Sequence, residues 1–324
     1  MRLHIVTFLL LFVFPGAYAG NPVKRLLSGV DSLLQKYYNK VDYDTTYIGR
    51  SYGKIGLKAW GSLSGSRLRA RGDVIKSNLK PDIKGSASFE FDYYDLALEV
   101  ATNLTGSGGG NRDFEINFNF YPRRFVLDAS YQKTWSAAGS MTYEGQSVDV
   151  KAGWLATKML NVDAYYTFNY RRFSYDAPFY QFYEQKQSAG SWLVGLSYQG
   201  GSIRTTGEIP DNIPELRFNA NHLGVGGGYA YNLVVGEKWL FHLSLVPNLM
   251  VWTHNNIERN GEKIYTQTKF PTVLMNGRAG TVYFFNRRHF VGLYGVANTL
   301  LKRKSKTELV ENKWIIRMFY GMRI

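Results

Sequence analysis

From Lys54 to the end of the chain the sequence repeats by twos. Phe114, Ile116, Phe118 and Phe120 are separated by Glu115, Asn117 and Asn119. Tyr94, Leu96, Leu98 and Val100 alternate with Asp95, Ala97 and Glu99, and Val162, Ala164, Tyr166, Phe168 and Tyr170 with Asp163, Tyr165, Thr167 and Asn169. The last run sets Trp314, Ile316, Met318, Tyr320, Met322 and Ile324 against Lys313, Ile315, Arg317, Phe319, Gly321 and Arg323. Each run predicts a strand with one apolar and one polar face. Many runs reach about nine residues or more, the length that crosses a bilayer on a tilt.

The N-terminus predicts an address. Arg2, an apolar run from Ile5 to Phe14 and Ala17-Tyr18-Ala19 read as a secretory signal over residues 1–19. No later segment is apolar and long enough to span a bilayer as a helix. An exported chain of this kind is either soluble or a closed β-barrel, the other structure that satisfies its whole backbone in lipid. Leu26, Leu27, Val30, Leu33, Leu34 and Tyr37 recur at helical spacing, which predicts a short amphipathic periplasmic helix capping or plugging the barrel. The domain reading is thus a signal at 1–19, a helix and lead-in at 20–50, and a barrel over 51–324. The chain has no cysteine, which excludes disulfide scaffolds, thiol enzymes, Cys-ligated metals and acylated lipoproteins.

A soluble sandwich also alternates, so loop lengths must decide. Short connections at 92–93, 122–124, 236–237 and 286–288 interleave with longer polar ones at 105–111, 136–146, 205–214, 254–269 and 303–312. Outer-membrane barrels have short periplasmic turns and long outer loops in alternation. Keeping that parity predicts three strands between Val162 and Tyr198, the middle one over Ala177 to Gln185. The fold class expected is an all-β, closed antiparallel transmembrane barrel of about fourteen strands, with about twelve as the alternative. Trp60, Trp154, Trp192, Trp239, Trp252, Trp314 and the Tyr93-Tyr94, Phe120-Tyr121 and Phe284-Phe285 pairs lie near strand ends and are expected to form interfacial girdles.

Several stretches carry a family resemblance. They are Asp44-Thr45-Thr46-Tyr47-Ile48, Leu79-Lys80-Pro81, Phe173-Ser174-Tyr175 with 185–191, and Gly226 to Val234 before Lys238-Trp239. Together they resemble the domain of unknown function 4421 family, found in Bacteroides-type Gram-negative bacteria. The resemblance implies an outer-membrane barrel and brings no catalytic or binding residues with it. The barrel assembly machinery is then an expected partner, although the chain ends in Ile324 rather than an aromatic, with Phe319 and Tyr320 just inside.

With the apolar set outward, the lumen is expected to receive Lys84, Glu90, Glu99, Glu115, Asp128, Asp149, Lys151, Asp163, Arg171, Arg278, Arg317 and Arg323. These either pair and fill the interior or create a field that sorts small polar solutes in a pore. The first gives a structural or adhesive barrel, the second a passing or binding one, and the latter is the leading expectation. An enzyme reading centres on His242 and Ser244, with Asn248 on the same face, as a lipid hydrolase. Alternation sends these inward, away from acyl chains, so the chain is not expected to be an enzyme. No His, Cys or acid spacing supports a metal, and no cofactor is expected. The formal charge is +14, and removing the signal costs only Arg2. Lys302, Arg303, Lys304 and Lys306 are expected to meet phosphorylated glycolipid (lipopolysaccharide) among the outer-membrane lipids, with nucleic acid not expected for an exported barrel. A monomer is expected.

Overall fold

The computed structural model describes residues 41–324 except 72–74, 82, 94–95, 105–112, 144, 207–214, 260–261, 267–269 and 303–307. The expected signal, the expected helix over Leu26 to Tyr37 and the basic loop at Arg303, Lys304 and Lys306 lie outside the described residues. In chain order the strands are β1 (Ile48–Arg50), β2 (Ile55–Arg71), β3 (Ile75–Lys80), β4 (Lys84–Tyr93), β5 (Leu96–Asn103) and β6 (Phe114–Phe120). Then come β7 (Phe125–Thr134), β8 (Ala138–Tyr143), β9 (Gln146–Val150), β10 (Leu155–Thr167), β11 (Tyr183–Gln185) and β12 (Ala189–Thr205). The last are β13 (Leu216–Val235), β14 (Trp239–Arg259), β15 (Glu262–Thr266), β16 (Thr272–Phe284), β17 (His289–Lys302) and β18 (Glu308–Arg323).

Sixteen of these strands make one antiparallel sheet, and β1 and β11 pair separately. The sheet curls through 265°. Its wall runs β5-β4-β2-β18-β17-β16-β14-β13-β12-β10-β7-β6, twelve strands among the described residues. The N- and C-terminal members meet along a ladder from Gly56↔Arg323 to Arg71↔Glu308. Among the described residues no ladder joins β5 to β6. β3, β8 and β9 extend the sheet past the outer half of β2, and β15 adds to the far end of β14.

The short turns gather at one end. At the β13–β14 turn, Gly236 and Glu237 both lie in the left-handed region, at φ 58° and 59°. Two successive positive φ values give the turn whose twist matches that of paired strands.

Alternation in sequence becomes alternation in burial. Along β13, inner positions are buried while the outer ones stay half or fully exposed. Phe114, Ile116 and Phe118 of β6, Leu243, Leu245 and Leu249 of β14, and Ile316 and Met318 of β18 all face outward, with Leu243 66% exposed. The expected girdle is corrected at four positions, of which Trp154 and Phe284 pack half-buried against the inner apolar clusters. Trp60 and Tyr121 are buried inside the curl, because Trp60 shares the inner face of β2 with Lys58 and Tyr121 packs against Tyr175 and Tyr180. Trp192, Trp239, Trp252 and Trp314 are exposed on the outside.

The strand expected over Ala177 to Gln185 is not a member of the wall. Only Tyr183–Gln185 is extended, and it pairs with β1. Parity holds without it, because β10 runs into the insert beside the short turn before Phe125 and β12 returns from that same end. Residues 168–188 fold inward, and that excursion positions the site described below.

The outward face of β14 predicts a measurable penalty for charge. Replacing Leu245 by Arg, near the middle of the strand, is expected to lower the unfolding free energy in lipid vesicles by about 2–4 kcal/mol, read by denaturant titration of tryptophan fluorescence.

Candidate functional site: an aromatic insert in the lumen

Residues 168–188 connect β10 to β12 and are richly aromatic. Two tight turns shape them. Arg172 and Phe173 amides donate to the Asn169 carbonyl, and Phe179, Tyr180 and Gln181 amides donate to that of Asp176. The Asp176 carboxylate accepts from the Tyr183 amide at 2.9 Å, and the Ser174 hydroxyl accepts from the Ala177 amide at 3.2 Å. Side-chain acceptors of this kind stabilise turns that no ladder supports. The turns hold Phe173, Tyr175, Phe179 and Tyr180 in the interior, where they pack with Tyr121, Trp60, Tyr294, Phe290 and Phe319 of the wall. Edge-on contacts predominate, such as Phe179 with Tyr294 at 5.2 Å and Tyr121 with Tyr175 at 5.4 Å.

Two wall cations grip the insert by its backbone. Lys58 Nζ donates to the Tyr180 carbonyl at 2.8 Å, and Arg323 Nη2 donates to the Tyr180 and Gln181 carbonyls at 2.9 and 2.8 Å. Their charge is balanced by Glu90 and Asp92 of β4. Lys58 lies 2.6 Å from Glu90 and 3.0 Å from Asp92, Arg323 lies 3.3 Å from Asp92, and Trp60 Nε1 donates to Glu90 at 3.0 Å. All four charged groups are almost fully buried. Charges this deep are tolerated only when paired and hydrogen-bonded.

The lead-in clamps the insert from outside. β1 pairs with β11, the Asp44 amide donates to the Arg171 carbonyl, and the Lys186 amide donates to that of Tyr47. Asp42 pairs with Arg123, and Asp44 accepts from Arg172 Nε at 3.2 Å. Hydrogen bonds from the Thr46 hydroxyl and amide, followed by Arg172, hold the Asp44 carboxyl below its usual range.

Past the insert the interior turns polar. Arg278 pairs with Asp128 and donates to the Tyr121 hydroxyl at 2.8 Å, while Arg317 pairs with Glu99 and Lys313 with Glu115. Lys84 lies 3.3 Å from Asp113. Asp163 accepts from Ser197 at 2.5 Å and Asn276 at 2.8 Å. Further on, Leu68, Leu79, Met141, Leu155, Ile203 and Phe218 form a second apolar cluster. A cavity of about 30 Å³ lies against it.

Of the residues expected in the lumen, Glu90, Glu99, Glu115, Asp128, Asp163, Lys84, Arg278, Arg317 and Arg323 thus meet partners inside the curl, on neighbouring or more distant strands. Asp149 and Lys151 belong to the β9 hairpin and the turn after it, beyond the wall strands, and Arg171 is exposed on the insert. The side chain of Lys302 is outside the described set. Spacing could not single out Lys58, Asp92 and Asp113, since pairing across a lumen depends on register. His242 and Ser244 come together, with Nε2 and Oγ 3.1 Å apart. Asn248 does not join them. It donates instead to the Tyr165 hydroxyl and the Val246 carbonyl. The third partner is Asn232, whose Oδ1 lies 2.7 Å from His242 Nδ1 because the two residues face each other in the β13–β14 ladder.

A family model described as Domain of unknown function (DUF4421) matches residues 42–323. The chain belongs to the DUF4421 family. In this member the matched span opens at Asp42, which pairs with Arg123, and closes at Arg323, which holds the insert. No curated protein matches the chain in sequence. Among solved structures it is similar to the outer membrane protease OmpT from Escherichia coli, at a TM-score of 0.48 and 8% identity over 89% of this chain and 100% of that one. It is also similar to the translocator domain of autotransporter NalP from Neisseria meningitidis, at 0.33 and 7% over 92% and 96%. A third is the toluene transporter TodX from P. putida, at 0.27 and 7% over 84% and 90%.

The cation grip predicts the behaviour of Lys58→Met. Glu90 and Asp92 would lose their main counter-charge, at a cost of about 3–5 kcal/mol. The insert is expected to open, so trypsin cleavage after Arg171, Arg172 or Lys186 should accelerate about tenfold or more, measured by mass spectrometry.

Proposed function

We propose that this DUF4421 member is an outer-membrane β-barrel of about twelve strands, closed where β5 meets β6, whose lumen is shut at rest by its own 168–188 insert. The observation that carries this reading is the double cation grip of Lys58 and Arg323 on the insert carbonyls. A lumen meant to stand open gains nothing from burying four charges to hold aromatic side chains in its path. The outward apolar face supports placement in a bilayer, and the gathered short turns support placing the insert on the periplasmic side. The charged residues of the interior act mainly as mutual partners in this reading, which favours the plugged barrel over a standing pore. Contact of the Lys302 to Lys306 loop with phosphorylated glycolipid remains part of the proposal, resting on charge alone.

A passage for small polar solutes that opens on demand is the second reading. It is favoured by the lead-in clamp, since β1 is tied to β11 and offers a handle through which the insert can be drawn out.

Planar-bilayer recordings of the refolded mature protein test the proposal. The wild type is expected to be silent. Deletion of residues 170–186, or the double variant Lys58→Met with Arg323→Met, is expected to give discrete current steps. Steady conductance by the wild type would overturn the plugged reading.

A further inference from the structure

Ser244, His242 and Asn232 form a relay whose direction the surroundings dictate. Asn232 Nδ2 donates to the Ser174 carbonyl at 2.7 Å and to Gln185 Oε1 at 3.1 Å. Its Oδ1 is therefore the atom facing the imidazole, and His242 must donate from Nδ1. That leaves Nε2 as an acceptor, and the Ser244 hydroxyl, 3.1 Å away, supplies the proton. This is the tautomer and order that a general base needs to activate a serine, with the amide as orienting group.

Two further observations point to a ligand at this place. Arg278 sits directly opposite Ser244 in the β14–β16 ladder, its guanidinium held by Asp128 and the Tyr121 hydroxyl. The insert then lays Tyr175 and Phe179 over the group. The Tyr175 hydroxyl lies 3.5 Å from Ser244 Oγ, and the Phe179 ring lies 5.0 Å from the imidazole. Both rings also lie near the Arg278 guanidinium, at 5.7 and 5.9 Å. A polar oxygen next to the serine, an apolar body against the histidine and a cation near both describe the outline of an ester.

We propose that Ser244, His242 and Asn232 are a serine-hydrolase site for carboxylic esters with an apolar acyl group, kept closed by the insert. Withdrawal of Tyr175 and Phe179 lets the ester carbonyl reach Ser244 and the acyl group take the place of the Phe179 ring. Ser244 Oγ bonds to the carbonyl carbon as its proton passes to His242 Nε2, and Arg278 faces the negative oxygen that develops. The carbon–oxygen bond to the alcohol then breaks, and the alcohol leaves with the proton from His242. Water, deprotonated by His242, attacks the acyl-serine and releases the acid, returning the proton to Ser244. The inward aim of the pair, which argues against a lipid-surface enzyme, is here what places it under a removable lid. The inference goes beyond the plugged-barrel reading and does not depend on ion conductance.

The test uses the refolded mature protein in detergent micelles and an alkyl fluorophosphonate, which forms an Oγ–phosphorus bond and expels fluoride. Phe179→Ala is expected to be labelled about tenfold or more faster than wild type, with the adduct on Ser244 by peptide mass spectrometry. Adding His242→Gln should slow labelling by about 10²–10⁴-fold, and adding Ser244→Ala should abolish it. Wild type nicked by trypsin within the insert, and Lys58→Met, serve as openings that keep Ser244 and His242 themselves unaltered if Phe179→Ala does not fold. An absence of Ser244 adduct in every folded, opened form would overturn the proposal. So would labelling that is unchanged by His242→Gln, or that falls on another residue.

Discussion

A backbone placed in hydrocarbon finds no water to bond with, so each strand must take its partners from the next, and the sheet has to curl. Curling creates an inside. The ladder of β18 with β2 ties the ends of the chain together, and every strand on the wall then sends alternate side chains inward. Those side chains include many of the chain's charged groups beside the inner apolar clusters, while the outward set is apolar. The charged groups cannot be left unpaired at this depth, since desolvated charge without a partner costs several kcal/mol. Lys58 with Glu90 and Asp92, Arg278 with Asp128, and Lys313 with Glu115 are the consequence.

The same constraint explains why the insert is aromatic and why it is held by its carbonyls. Rings fill a wide lumen at modest conformational cost and tolerate edge-on contact from many directions. A segment without a ladder still has backbone groups to satisfy, and Lys58, Arg323, Asp176 and Gln185 supply partners for them. The insert and the Ser244 relay are also joined. Asn232 spends both its amide hydrogens on insert residues, so docking of the insert and orientation of His242 are a single arrangement.

Much of the wall was legible by period alone. Phe114 to Phe120 alternate without exception in hydropathy, Trp314 to Ile324 do so except at Ile315 and Phe319, and the outward members of both runs are apolar. Family membership was legible from short stretches, several of which lie in the insert and its clamp. The insert itself was not. Residues 177–185 carry enough aromatics to pass for a strand, whereas only Tyr183–Gln185 is extended there. Trp60 and Tyr121 misled for a related reason: an aromatic near a strand end suits an interface, but an inner face filled by rings suits it equally. Asn232 and Asp92 were out of reach, because partners across strands are set by register that no spacing along one strand contains. The buried Asn248, in contrast, was chosen by spacing on one face, and it points to Tyr165 instead.

The chain has no cysteine, so single cysteines can be placed along β14 without background. Spin labels at successive positions from Trp239 to Val251, in lipid vesicles, test the central claim most directly. The account predicts that collision with dissolved oxygen rises and falls with period two, peaking at Phe241, Leu243, Leu245 and Leu249, while a water-soluble paramagnetic reagent reaches neither set. Free access of that reagent to the inner positions, or a loss of the two-residue period, would contradict a filled barrel with its apolar face in the bilayer.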